Sequence, residues 1–253
     1  MRRPIHIIPV VIVLTLIVTS AARAFFDEIA QLKQELQLWE EVHAADFTDV
    51  IEQLDDITGT VFTDVTEEDW FTSYVSSLMD WGVVSGYKDS AGRPTGKFKP
   101  GNYVTTAEAL KMAMKAADID ETQCDTVAMH ASASEHWAAS YIACAEEKGV
   151  RMFKIPDETS LDRPARRAEV ITIILDSFGD DVMPVYSTFN DTRGHIFESD
   201  IAHAQLYGIV GGDTNKDGVE LGTFRPDDPI NRAETAKIVY QRMKEEARKE
   251  LAL

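Results

Sequence analysis

Paired carboxylates are the first residues here that chemistry could use: Asp55-Asp56, Asp180-Asp181 and Asp227-Asp228. Acid–base hydrolysis needs two carboxyl groups held apart by structure, with the pKa of one raised above the other. These pairs are sequence neighbours in loop-like stretches, and nothing around them sets one carboxyl apart from its partner. Histidines 43, 130, 136, 195 and 203 fall into no HExxH spacing, and no Gly-x-Ser-x-Gly elbow accompanies them. Asp213-Thr214-Asn215-Lys216-Asp217-Gly218 reproduces the first half of a calcium loop, with oxygen ligands at alternate positions and glycine at the sixth. The twelfth position is Phe224 instead of a bidentate acid, so a polar surface turn is the default assignment. The sequence therefore predicts no enzyme, no cofactor and no resident metal.

Composition narrows the classes further. The 253 residues carry 25 Lys+Arg against 43 Asp+Glu, a formal net charge of −18. Phosphate binding needs a basic face, so nucleic acid is excluded as the main partner. A hydrophobic fraction of 44% is ordinary for a globular chain and argues against wholesale disorder. At the N-terminus, Arg2 and Arg3 precede an apolar run from Ile7 to Val18, then Ala22-Arg23-Ala24. A short positive region, a short apolar core and small residues at the −3 and −1 positions predict a secretory signal peptide over 1–24, the alternative being an uncleaved anchor. The run is short for a spanning helix, which needs roughly 20 residues. Cleavage there would remove Arg2, Arg3 and Arg23 and no acid, leaving an exported chain that is more acidic still. Outside the cytoplasm Cys124 and Cys144 can form a disulfide; the alternative is two free buried thiols.

The elements that would position any site come from an internal repeat. Trp70-Phe71-Thr72-Ser73-Tyr74-Val75, followed by Leu78 and Gly82-Val83-Val84, returns as Trp137-Ala138-Ala139-Ser140-Tyr141-Ile142, followed by Ala145 and Gly149-Val150. A looser copy has Phe197, Ile201, Ala204 and Gly208-Ile209-Val210. Each is followed by a second pattern: Val104-Thr105-Thr106-Ala107-Glu108, Ala165-Arg166-Arg167-Ala168-Glu169 and Ile230-Asn231-Arg232-Ala233-Glu234. The first pattern has apolar residues at helical spacing and a glycine where a left-handed residue would end the helix. In the second, Thr105 and Asn231 are good N-caps with Glu108 and Glu234 at capping-box spacing. A loop rich in turn residues lies between them. One helix pair cannot bury its apolar stripe alone, so the copies should share a core. The predicted fold is all-α: three helix–loop–helix repeats over 59–120, 121–182 and 183–247, closing around a shared core into one compact body. Residues 25–58 are predicted to be an amphipathic helix or linker, on Ile29, Leu32, Leu36 and Leu38-Trp39.

The order of these motifs resembles that of the S-layer homology domain. Phe62-Thr63-Asp64-Val65, the Trp70 and Tyr74 step, Gly82-Val83-Val84, Gly86-Tyr87-Lys88-Asp89, Phe98-Lys99-Pro100 and Thr105-Thr106-Ala107-Glu108 follow it through the first unit. Phe189-Asn190-Asp191, Phe224-Arg225-Pro226 and Asn231-Arg232-Ala233-Glu234 follow it in the third. The middle unit lacks the Phe-x-Pro step.

The resemblance implies that the three repeats close into one pseudo-threefold bundle, and that it binds an acidic cell-wall polysaccharide, or another peptidoglycan-linked polymer, non-covalently in grooves between units. It casts the motif arginines as the anion contacts, here Arg167 and Arg232, with Thr106 standing in the first unit. A guanidinium is a planar fork suited to carboxylate, and a helix's first turn offers unpaired N–H groups to an anion. The alternative is that each arginine pairs with a neighbouring acid. Trp70 and Trp137 would stack on a sugar face or else pack in the core. Asp64, Asp125 and Asp191 read as structural caps. The protein is thus expected at the cell envelope or cell surface as a wall-binding module, with self-association or an envelope protein partner as the competing role.

Overall fold

The structure, a computed structural model, describes residues 62–124, 127–154 and 159–251. The expected signal peptide, the amphipathic segment 25–58 and Asp125 lie outside those residues. The described part is helical, with only isolated β-bridges between its segments. It contains six α-helices: α1 (Thr72–Asp80), α2 (Thr106–Ala116), α3 (Ala139–Lys148), α4 (Arg167–Ser177), α5 (Glu198–Leu206) and α6 (Arg232–Leu251). The chain divides into two compact units, residues 68–84 and 100–253 in one, and residues up to 67 with 85–99 in the other.

The smaller unit is a clasped hairpin. Asp64 accepts from the amides of Phe98 and Lys99 at 2.8 and 2.9 Å, and Thr63 N–H donates to the Gly96 carbonyl. The Phe62 ring packs on Phe98 with centroids 5.3 Å apart. Gly86 is obligatory at that contact, because a Cβ there would lie 2.9 Å from the Phe62 ring.

In the larger unit all six helices start or stop by local rules. Thr105 and Glu108 form a reciprocal capping box on α2, with both bonds present at 3.2 and 2.9 Å. Asn231 and Glu234 repeat it on α6 at 2.9 and 3.2 Å. On α4 the Arg166 side chain has no acceptor to offer, and only the Glu169 half of the box forms, at 2.9 Å. The chain leaves α1, α3 and α5 through Gly82, Gly149 and Gly208 at φ between 68° and 74°, a left-handed conformation that glycine adopts without a Cβ penalty.

Packing follows from these starts. Helices α2, α4 and α6 each contact the other two. The shorter helices lie chiefly against one of them each: α3 on α2, α5 on α4 and α1 on α6. The segments entering the three inner helices are joined by backbone bonds in a closed cycle. Val104 N–H donates to Ile230 O at 3.1 Å, Ile230 N–H to Ala165 O at 3.1 Å, and Ala165 N–H to Val104 O at 2.9 Å. All three residues are fully buried, so each amide must find a partner within the protein.

Two further ties hold the periphery. Cys124 and Cys144 are joined by a disulfide, fastening the chain before residue 125 to α3. The buried Arg242 of α6 grips Asp180 through Nε and Nη2 at 2.6 and 2.9 Å, beneath the Phe178 ring, and Lys249 adds a third contact at 3.1 Å. Burial pushes the Asp180 carboxyl up, but the hydrogen bonds and charge of Arg242 and Lys249 outweigh it and hold the group below its ordinary value.

Reducing the disulfide should cost about 3 kcal/mol, the chain-entropy value for a loop of 20 residues, seen as a lower urea midpoint after thiol treatment. Asp180→Asn leaves the buried Arg242 without its main counter-charge and should destabilise by about 3–5 kcal/mol at neutral pH. Because the folded-state value of Asp180 is depressed, its contribution is present above the ordinary carboxylate range and is lost as pH falls through the folded value. Urea melts across the acid range should therefore show wild type and variant converging only in strong acid.

Candidate functional site

The two arginines singled out by sequence do open helices, and Thr106 opens the third. The N–H groups expected to attract an anion there are already used. Arg167 and Ala168 amides donate to Asp228 and Pro226 carbonyls, both at 3.0 Å. Arg232 and Ala233 donate to Asn102 and Pro100 at 2.9 and 3.1 Å, and Thr106 and Ala107 to Arg163 and Leu161 at 3.2 and 3.1 Å. The expectation of open helix N-termini is thereby corrected: carbonyls of a neighbouring loop fill them, a non-local pairing that capping rules do not foresee.

The guanidinium groups are equally occupied. Arg167 is 8% exposed; its Nε donates to Phe224 O at 2.9 Å, its guanidinium lies 4.8 Å from the Phe224 ring centroid, and Nη1 is 3.4 Å from Glu234. Burial pushes its pKa down, opposed chiefly by the Glu234 charge. Arg232 is 6% exposed, with Nη1 3.9 Å from Glu108. The third acid at this position, Glu169, faces no motif arginine, because Thr106 occupies that place. Arg163 supplies the cation instead, in a two-pronged contact at 2.6 and 2.8 Å. Sequence reasoning missed Arg163. Its one visible signal is that it stands where the other units carry Asn102 and Asp228, in a chain that lacks arginine at 106. Thr106 is fully buried and its hydroxyl has no hydrogen-bond partner among the described residues.

The tryptophans lie at the surface. Trp70 is 56% exposed and Trp137 55%, so neither is a core residue. Each has a tyrosine one turn away, Tyr74 at 6.4 Å and Tyr141 at 6.5 Å between centroids, in an edge-on arrangement. Each also has a lysine ammonium near its ring: Lys237 at 5.8 Å from Trp70, and Lys111 at 5.9 Å from Trp137. The pairs sit at equivalent places, each indole just before an outer helix, α1 or α3, and each lysine on the inner helix beside it, α6 or α2. The third copy, on α5 and α4, has the exposed Ile196 and Thr172 there, and Phe197, one residue on, packs beside His195.

The remaining candidates are engaged structurally. Asp191 accepts from the amides of Phe224 and Arg225 at 2.8–3.1 Å, the same clasp that Asp64 makes in the smaller unit. In the half calcium loop, Asp213 is held by Arg225 at 2.8 and 2.9 Å and by Thr223 at 2.9 Å. Those contacts keep the Asp213 carboxyl below its usual range. Asn215 turns its oxygen to the amides of Asp217 and Val219. Asp180 is bound by Arg242 and Asp227 by Arg166. No group of three or more His, Cys, Asp or Glu among the described residues has metal-holding geometry.

Residues 188–236 match the S-layer homology domain. The matched stretch runs from the Asp191 clasp through the Arg225 hairpin to the first turns of α6, and so includes Arg232 and Glu234. Two curated proteins of Acetivibrio thermocellus are similar over 58% of this chain: Cell surface glycoprotein 1, 31% identical over 163 residues, and Cellulosome-anchoring protein, 29% identical over 157 residues. The chain spans 7% of the first and 34% of the second.

Arg163→Ala should leave Glu169 charged and largely buried, costing on the order of 1–3 kcal/mol in urea unfolding. Adding Thr106→Arg to that variant should restore most of the loss, because position 106 corresponds to 167 and 232. An equal loss in the double variant would show that the cation cannot be supplied from position 106.

Proposed function

We propose that this chain is an exported, non-catalytic module that holds an acidic cell-wall polysaccharide without covalent attachment and so fixes itself to the cell surface. The observation that carries the reading is the recurrence of a half-exposed indole with a lysine ammonium beside it, Trp70 with Lys237 and Trp137 with Lys111. An exposed indole gives a sugar ring a flat apolar face, and the neighbouring ammonium gives an acidic substituent a counter-charge. The match of residues 188–236 to the S-layer homology domain supports the same assignment, as do the two relatives, one named a cell surface glycoprotein and the other a cellulosome-anchoring protein.

The reading extends to architecture. Three tandem units sharing one core are supported by the cyclic bonds among Val104, Ala165 and Ile230, and by the packing of each outer helix chiefly on one inner helix. Arg167 and Arg232 belong to the site as the buried cations that balance Glu234 and Glu108 and hold the first turns in place. The exposed rings and lysines make the outward contact. The Trp137 side works without a motif arginine, since Arg163 satisfies Glu169.

Co-sedimentation with purified sacculi, before and after mild acid has stripped their attached polymer, tests this. Wild type should pellet with intact wall and stay in solution with stripped wall. Trp70→Ala with Lys237→Ala, and Trp137→Ala with Lys111→Ala, should each weaken pelleting by about tenfold or more at unchanged helix content. These surface changes are preferable to removing Arg167 or Arg232, since breaking a buried ion pair costs about 3–5 kcal/mol and confuses binding with folding. Failure to pellet with intact wall would refute the reading, and calcium-dependent self-association in the same samples would favour a structural envelope role.

A further inference from the structure

The face formed by α1 and α6 carries more aromatic surface than the arrangement around Trp137. Its rings run in unbroken contact from Trp70 to Tyr74 at 6.4 Å, from Tyr74 to Tyr240 at 5.3 Å, and from Tyr240 to Trp81 at 5.8 Å. The last pair is stacked, with only 5° between the ring planes. Trp81 is nevertheless 55% exposed. Tyr240 covers one face of the indole, so the solvent-facing area is its opposite face and edges. Trp70 and Trp81 bracket α1, and three turns of helix separate them by about 16 Å. At the positions matching Trp81 and Tyr240, the α3 and α2 pair has Lys148 and Met114, and the strip there ends at Tyr141.

Charge follows the same line. Lys237 and Lys244 lie one turn to either side of Tyr240 on the same face of α6. Both are exposed, and neither has an acidic partner among the described residues. Arg151, Arg163, Arg225 and Arg242 are by contrast committed to carboxylates within the protein. A row of aromatic faces with a mobile cation at intervals matches a chain of flat rings bearing acidic groups. It is a poor match for a protein partner, which needs about 800 Å² per side with a continuous apolar centre.

We infer that the α1/α6 face is an extended subsite for several consecutive units of an acidic glycan, in which the Trp81–Tyr240 stack forms a second sugar platform beyond Trp70. The inference rests on the wall-binding reading and deepens it. The strip is too long for a single sugar ring to cover, so affinity should grow with fragment length until the ligand reaches from one indole to the other.

The test uses the full chain and polysaccharide released from sacculi by mild acid and sorted by length. Titration calorimetry with wild type should show long fragments binding at least about tenfold tighter than the shortest ones. Trp81→Ala should remove that advantage and leave short-fragment affinity unchanged, whereas Trp70→Ala should weaken both. Trp81→Phe, which keeps a ring, should retain most of the long-fragment gain and controls for folding, alongside far-ultraviolet circular dichroism. If Trp81→Ala binds long fragments as wild type does while wild type still pellets with wall, the second platform is disproved and the wall-binding reading stands. If wild type binds neither wall nor fragments, both fall together. If Trp81→Ala instead converts a dimer to a monomer in sedimentation velocity, the strip is a self-contact and the inference is overturned.

Discussion

Three buried amides that donate to one another's carbonyls in a cycle set the terms for the larger unit. A closed cycle has no free edge, and it fixes Val104, Ala165 and Ile230 at one place with no side-chain choice involved. Everything downstream follows from that meeting point. The next residue in each segment is the N-cap of an inner helix, the one after it is Thr106, Arg167 or Arg232, and the third helical residue is a glutamate that reaches back to the cap. The same convergence brings each neighbouring loop's carbonyls onto the first-turn amides. The first two amides of each inner helix are thus taken by a neighbouring loop, and on α2 and α6 the third is taken by the cap side chain.

The distribution of cations follows from this crowding. A chain with a large acidic excess commits most of its guanidinium groups internally, where a planar donor fork answers buried carboxylates. Arg163 illustrates the rule: when threonine takes the place of one motif arginine, a second position supplies the missing charge, so the acid it must balance is never left alone. Lys115 and Lys249 join these internal pairs, with Glu121 and Asp180, whereas Lys237 and Lys244 keep their compact, well-hydrated ammonium groups outside along the aromatic strip of α6. The division is one of labour between charges that fix the fold and charges that face the solvent.

Much of this was readable in the residues. Thr105 with Glu108, and Asn231 with Glu234, announced two helix starts through local chemistry, and Gly82, Gly149 and Gly208 announced three helix ends. The Asp64 and Asp191 clasps were legible as structural caps, because a carboxylate at the opening of a turn takes backbone amides. What stayed hidden depends on contacts between distant segments. Helical spacing cannot tell that Trp70 and Trp137 lie outside the core, since their outer helices bury Phe71, Val75 and Tyr141 instead. Nor can it reveal that Trp81 meets Tyr240, or that Arg163 answers Glu169 in place of a residue at 106. Burial of Arg167 and Arg232 was likewise invisible, because local pattern puts a charged residue in solvent by default.

The cyclic bonding also imposes an order on folding. Its members lie far apart along the chain, and no two of them complete the ring, so the inner helices lack their common anchor until Ile230 has been made and delivered. Such dependence on long-range contact slows folding and makes it concerted. During synthesis from the N-terminus the first two inner helices therefore wait for the last third of the chain before they can lock.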